Sequence, residues 1–237
     1  MEILSLNQIS PDQVILWQWG MIKITATLMY TWLIMGILII GSWLITRNIS
    51  TDVRTTRWQG LLEVVVSTIR NQIKEISPEN PGHYLAFIGT LFLFVGLSNL
   101  LLIVPGYVAP TSSLTTTAAL AICVFIAVPL YGITSQGIKG YFKEYFQPTF
   151  IFFPFHVMGE ATRTLALAVR LFGNMMSHDK VIAILLAVTP LFFPIIMHAL
   201  GLLIGLVQAY IFAILAMVYI ASAAQAHEEK GDKGAPE

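Results

Sequence analysis

Charge is what this chain has least of. Asp, Glu, Lys and Arg make up 11% of its 237 residues, where a water-soluble domain carries about 25%. Hydrophobic residues reach 56% and mean hydropathy is +0.75, which places the chain in lipid. Thirteen basic residues are balanced by thirteen acidic ones. No cationic surplus is left to attract nucleic acid, and none is expected as a partner. A single cysteine, Cys123, excludes a zinc or dithiol centre; it reads as a small buried hydrophobe. No G-x-x-x-x-G-K-[ST] loop occurs, so no nucleotide site is expected on this chain, and neither a cofactor nor a metal. No secretory signal is expected either: residues 1–20 mix Glu2, Asn7, Asp12, Gln13 and Gln18 with apolar positions and have no basic start.

What is present is a series of long apolar runs, which predict an all-α membrane protein with about five membrane-crossing helices. An external N-terminal segment, 1–24, precedes a first span at 25–46, uncharged and long enough to cross a core of about 30 Å. Trp43 fits an interfacial aromatic, and Arg47, Arg54 and Arg57 after it put that end in the cytoplasm. Residues 55–76 differ. Trp58, Leu61, Leu62, Val65, Ile69, Ile73 and Ile76 recur at helical spacing between Glu63, Arg70, Lys74 and Glu75. That pattern predicts an amphipathic helix on the cytoplasmic surface, or one packed on a partner subunit. Further spans are expected at 84–104 and 116–137, joined by a short polar loop through Pro110 and Ser113. Residues 227–237 form a polar tail expected to be disordered.

The last two helices, expected over 153–190 and 192–225, are too long to stand upright. Between Pro154 and Pro190 lie 35 residues without proline, about 52 Å of helix. Spanning about 30 Å with that length needs a tilt near 55°, beyond the usual limit of about 40°. Either both helices break, at Gly173 in the first and Gly201 or Gly205 in the second, or both cross steeply inclined as a hairpin. The inclined reading is preferred.

The first hairpin helix carries charge where charge is expensive, on the order of 3 kcal/mol per ionised group at mid-membrane. His156, Glu160, Arg163, Leu167, Arg170, Asn174 and His178 follow steps of three and four, forming one stripe. Glu160 and Arg163, at i and i+3, read as an ion pair. Arg170 has Ala166, Leu167, Gly173 and Asn174 at those spacings and hence no local carboxylate. Its guanidinium cannot deprotonate, so its counter-charge must come from elsewhere, and another chain can supply it. Structural alternatives stay open for the rest. His178, Asp179 and Lys180 also read as a solvated helix-end cluster, His198 as a polar core residue, and Asn174 and Gln208 as interhelical hydrogen-bonding groups.

The run Arg170-Leu171-Phe172-Gly173-Asn174-Met175 resembles the signature of subunit a of rotary F-type ATP synthases. Gln208-Ala209-Tyr210-Ile211-Phe212 is similar to the family's second motif, and Phe87 to Phe92, Ser98-Asn99 and Pro148-Thr149 also resemble it. The resemblance covers the chain from residue 22 onward. It implies an ion-conducting stator with two aqueous half-channels, in which Arg170 faces the carboxylates of a ring of c subunits and couples H⁺ or Na⁺ flow to ring rotation. Asn174, His178, Asp179 and Gln208 are then expected on one half-channel, and Glu160 and His156 on the other. The implied partners are the c-ring, peripheral-stalk b subunits and the remaining ATP synthase subunits. ATP chemistry belongs to the assembly, in a bacterial inner membrane or an organelle that encodes the protein itself.

The sequence departs from the family pattern in three places. Asp179 stands where a glutamate or histidine is usual, Arg163-Thr164 replaces lysine-proline, and Gly201 stands where some members carry histidine. The competing reading is a small secondary ion transporter or channel with a mid-membrane arginine. No matching pair of inverted halves supports it.

Overall fold

A computed structural model describes residues 15–19, 22–47, 57–78, 81–104, 106–145, 153–188 and 193–225. Most of the expected N-terminal segment, the 227–237 tail and Pro148-Thr149 lie outside those residues. The chain is an all-α membrane protein, with six α-helices among the described residues and one addition that its polar N-terminal composition did not announce. Strands β1 (Ile15–Trp19) and β2 (Ile22–Thr25) form a short antiparallel hairpin that runs directly into the first helix.

Helix α1 (Ala26–Thr46) stands at the edge of the bundle. Ile34 is buried, whereas Trp32, Ile39 and Ile40 are exposed and suited to lipid. At its end the Arg47 guanidinium lies 4.9 Å over the Trp43 ring, a cation–π contact at an interfacial aromatic.

Helix α2 (Arg57–Ile76) keeps the expected amphipathic pattern. Its apolar stripe, with Ile69 and Ile73 buried, is covered by this chain's own α3 (Pro81–Leu100) and α6 (Phe193–Gln225). Glu63, Arg70, Lys74 and Glu75 are exposed. An apolar cavity of about 140 Å³ remains beneath it, and Gln72 and Tyr210 are among its lining residues.

Helix α4 (Leu114–Tyr145) is interrupted at Gly137, whose φ of +76° is open to glycine at no steric cost, so the apolar span ends there. Cys123 on this helix is exposed beside Ile122, which is also exposed. That corrects the expected buried position. In lipid an outward-facing thiol is as well accommodated as an inward one, so the apolar run alone did not decide its face.

Helices α5 (Phe153–Val188) and α6 run for 36 and 33 residues with no non-helical residue recorded inside either. Gly173, Gly201 and Gly205 therefore break neither helix. Helices of these lengths extend about 54 and 50 Å, well beyond the thickness of a hydrocarbon core of about 30 Å. Among the described residues, four helices suit a membrane crossing by length and composition: α1, α3, α4 and α6. Helix α5 is long enough but interrupted by charge.

The core lies where α3, α4, α5 and α6 meet, around Ile88, Val95, Leu167, Leu171, Phe212 and Met217. Ala209, Ala213 and Ala216 on α6 are buried. Small residues of this kind let helix backbones approach closely where lipid supplies no hydrophobic drive between helices.

Candidate functional site

Arg170 sits on α5 and is exposed. Leu165 and Val169 on the same helix, and Leu203 and Val207 on α6, are likewise uncovered. Among the described residues no carboxylate pairs with Arg170. A permanent cation on a bare apolar face is stable in a bilayer only if something outside this chain compensates it.

One turn further along, Asn174 Nδ2 donates to Gln208 Oε1 across the α5–α6 interface at 2.7 Å. Gln208 is buried, and its Nε2 has no partner among the described residues. An amide nitrogen left so costs about 1–3 kcal/mol unless water or a ligand satisfies it. Gln208 thus carries an unsatisfied donor in the α5–α6 interface, one turn along α5 from Arg170.

Beyond Asn174 the seam continues into a cluster. The rings of His178 and His198 stand 6.5 Å apart, edge to face. The imidazole of His178 fills the notch left by Gly201, where a Cβ would overlap it. Asp179 is half-buried on the side of α5 that packs against the turn Pro110–Ser112. Lys180, its neighbour in sequence, is exposed instead. Adjacent helical residues point about 100° apart, and the pair separates accordingly.

Glu160, Arg163 and His156 lie on the other arm of α5. At 1.5 Å per residue, Glu160 is about 15 Å before Arg170 and Asp179 about 13 Å after it. Glu160 and Arg163 line one crevice with Phe125, Val128, Thr164 and Tyr219. The Arg163 guanidinium is 5.9 Å from the centre of the Tyr219 ring, at the outer limit of a cation–π contact. His156 is exposed in the first turns of the helix.

The sequence assigned no packing role to three participants. Tyr219 is one. Asn99 is another: buried on α3, it donates from Nδ2 to the Gly205 carbonyl at 2.8 Å and accepts from Thr111 Oγ1 at 2.8 Å. Gly205 serves that approach, since a Cβ there would come within 2.7 Å of the Asn99 Cβ. The third is the turn Pro110–Ser112, whose three residues are all buried. Uncharged hydroxyls beside a proline were the available signal, and they read equally well as an ordinary loop.

Fold and seam together define a class: a multi-pass integral membrane protein with an uncompensated arginine on a bare face and polar groups leading away from it on either side, suited to handling an ion. The family model described as ATP synthase A chain matches residues 28–221. The chain is 57% identical to ATP synthase subunit a 2 of Acaryochloris marina over 92% of this chain and 93% of that one. It is 56% identical to ATP synthase subunit a of Albidiferax ferrireducens over 96% of this chain and 98% of that one. A third relative, ATP synthase subunit a 1 of Chlorobaculum parvum, is 55% identical over 93% and 98% respectively. This chain belongs to the ATP synthase A chain family. It serves as an ion-conducting stator subunit of an F-type ATP synthase, a membrane subunit within that multi-subunit complex.

Proposed function

We propose that Arg170 is the stator charge of this machine and that the polar groups on its two sides belong to two separate aqueous half-channels. The observation that carries this is Arg170 itself, exposed on a bare apolar face with no carboxylate partner among the described residues. A ring of c subunits running past that face supplies the missing counter-charge. When a ring carboxylate is ionised, the guanidinium stabilises it. Once loaded with H⁺ or Na⁺ the carboxyl is neutral, has no such attraction, and passes into lipid. The same fixed charge repels a free cation, so the two half-channels do not leak into each other. Their residues are separated along α5 in the way this requires: Asn174, His178 and Asp179 on one arm, joined by Gln208 of α6, and Glu160 and His156 on the other. The inclined hairpin presents both arms to one curved partner.

The peripheral-stalk b subunits are the further partners under this reading. The membrane is a bacterial inner membrane or that of an organelle encoding the chain, and H⁺ is the favoured ion.

The test is ATP-driven ion uptake by the intact complex in vesicles. Arg170→Ala is expected to abolish uptake while the complex still assembles, and undiminished uptake would refute the role. A protonophore then separates the ions, since it collapses H⁺ uptake and stimulates Na⁺ uptake.

A further inference from the structure

Helices α3 and α6 meet along small residues. A Cβ on Gly96 would lie 3.9 Å from the Ala209 Cβ, and Gly205 is the next small residue of α6 on this seam. Small residues bring backbones close but hold them weakly along the axis. A slide of one turn, about 5.4 Å, merely sets Gly201 or Ala209 where Gly205 stands. Apolar packing on this face therefore discriminates poorly between registers, and a polar contact has to choose one.

That contact is Asn99, which is fully buried. Its Nδ2 donates to the Gly205 carbonyl at 2.8 Å, and its Oδ1 accepts from Thr111 Oγ1 at 2.8 Å. The amide cannot be reversed, because a carbonyl only accepts. The Gly205 carbonyl belongs to the α6 backbone, so the bond grips the helix itself. With Ala209 in that place a Cβ would strike the Asn99 side chain, as one at Gly205 does, and Gly201 already receives His178. Of the three registers, one satisfies the amide.

Thr111 is a fixed point in its turn. It is buried in the turn Pro110–Ser112, which packs against α1, α3, α4 and α5. Ser112 Oγ braces that turn by donating to the Ala109 carbonyl at 2.7 Å. The bonds from Thr111 through Asn99 to Gly205 thus tie α6 to an anchor shared by four other helices. Three residues beyond Gly205, about 4.5 Å along the axis, stands Gln208, whose Oε1 accepts from Asn174 at 2.7 Å. A slide of one turn would carry Gln208 past Asn174.

We infer that Asn99, held by Thr111, is a positioning residue for ion conduction: it sets the register of α6 so that Gln208 meets Asn174, one turn from Arg170. A buried asparagine that selects one register among near-equivalent packings has precedent between helices. The functional part rests on the reading of Gln208 as a half-channel group.

The experiment substitutes a covalent lock for the hydrogen bond. Gly96→Cys and Ala209→Cys place two Cβ atoms at the spacing of a disulfide, in a Cys123→Ala background that removes the exposed native thiol. ATP-driven uptake per assembled complex is measured in vesicles before oxidation, after it, and again after reduction. With Asn99 present the pair is expected to close and to leave uptake within about twofold. Asn99→Leu, close in volume, is expected to lower uptake about tenfold with the pair reduced. Closure should slow by a similar factor, and uptake should recover once the disulfide forms. Thr111→Val, measured in parallel, is expected to lose about threefold and to recover in the same way, whereas Thr111→Ser keeps the hydroxyl and should match the unsubstituted chain. A contribution to stability alone would lower the thermal midpoint and leave uptake per assembled complex unchanged, and that result overturns the assignment. A loss that the closed disulfide does not restore overturns it as well. So does a pair that fails to close, or that stops uptake on closing, with Asn99 present. Failure of both Asn99→Leu and Thr111→Val to assemble would make these bonds a folding requirement and overturn the positioning role. Gln208→Leu separates the two levels of inference. Undiminished uptake in that variant defeats the half-channel reading, whereas lost uptake there beside full uptake in Asn99→Leu defeats the role of Asn99 alone.

Discussion

Gly205→Ala is the substitution whose cost follows most directly from the coordinates. The added Cβ would stand 2.7 Å from the Asn99 Cβ and 3.1 Å from its Cγ, where carbon atoms rest at about 3.5–4.0 Å. Relief requires α3 and α6 to part by roughly 1 Å, because a Cβ is fixed to the backbone and cannot rotate away. Overpacking of this kind costs about 1–3 kcal/mol. Parting the helices also loosens the bond from Asn99 Nδ2 to the Gly205 carbonyl, with a further loss of about 1 kcal/mol for an interhelical bond in a membrane. Alanine's better helix propensity returns about 1 kcal/mol. The net destabilisation is about 2 kcal/mol, roughly a thirtyfold shift toward the unfolded form. Thermal inactivation of the purified complex in lipid nanodiscs is the assay. Gly36→Ala is the control, since no atom lies within 4 Å of its added Cβ; it is expected to be neutral or slightly stabilising. Equal inactivation of Gly205→Ala, Gly36→Ala and the unsubstituted complex would refute the account of Gly205 as a packing notch.

Two further substitutions probe the seam and its support. Gly201→Ala drives a methyl into the His178 imidazole, so ATP-driven uptake should fall at least about tenfold. Adding His178→Ser should restore assembly without restoring full uptake, and normal uptake in Gly201→Ala alone would show that the imidazole is free to leave. Tyr210→Phe removes the 2.8 Å bond from its hydroxyl to Gln72 Oε1. As an exposed contact it should cost no more than about 1 kcal/mol, read as a small drop in the thermal midpoint of the complex with uptake unchanged; loss of uptake would instead put Tyr210 in the ion path.

Composition and periodicity settled the class of this protein without coordinates. A shortage of charge and a set of uncharged runs about 20 residues long dictate a multi-pass helical protein, because backbone in lipid has few other ways to satisfy its hydrogen bonds. The exceptional position of Arg170 was legible for the same reason. A guanidinium cannot neutralise itself, so its lack of a carboxylate at helical spacing is already a statement about partners. Stripe membership on α5 likewise follows from 3.6-residue periodicity, which is local. Other features were undetermined at that level. Gly201 and Gly205 offered themselves as bends or as notches, and only the approach of His178 and Asn99 from other helices made them notches. Cys123 had no preferred face until packing chose one. Gln208 meets Asn174, Arg163 reaches Tyr219, and a hydroxyl-rich turn sinks inward against α5 because helices distant in sequence are brought side by side. Local sequence specifies which groups a helix carries and on which side. Which group each one meets is a property of long-range packing, and it belongs to the tertiary structure.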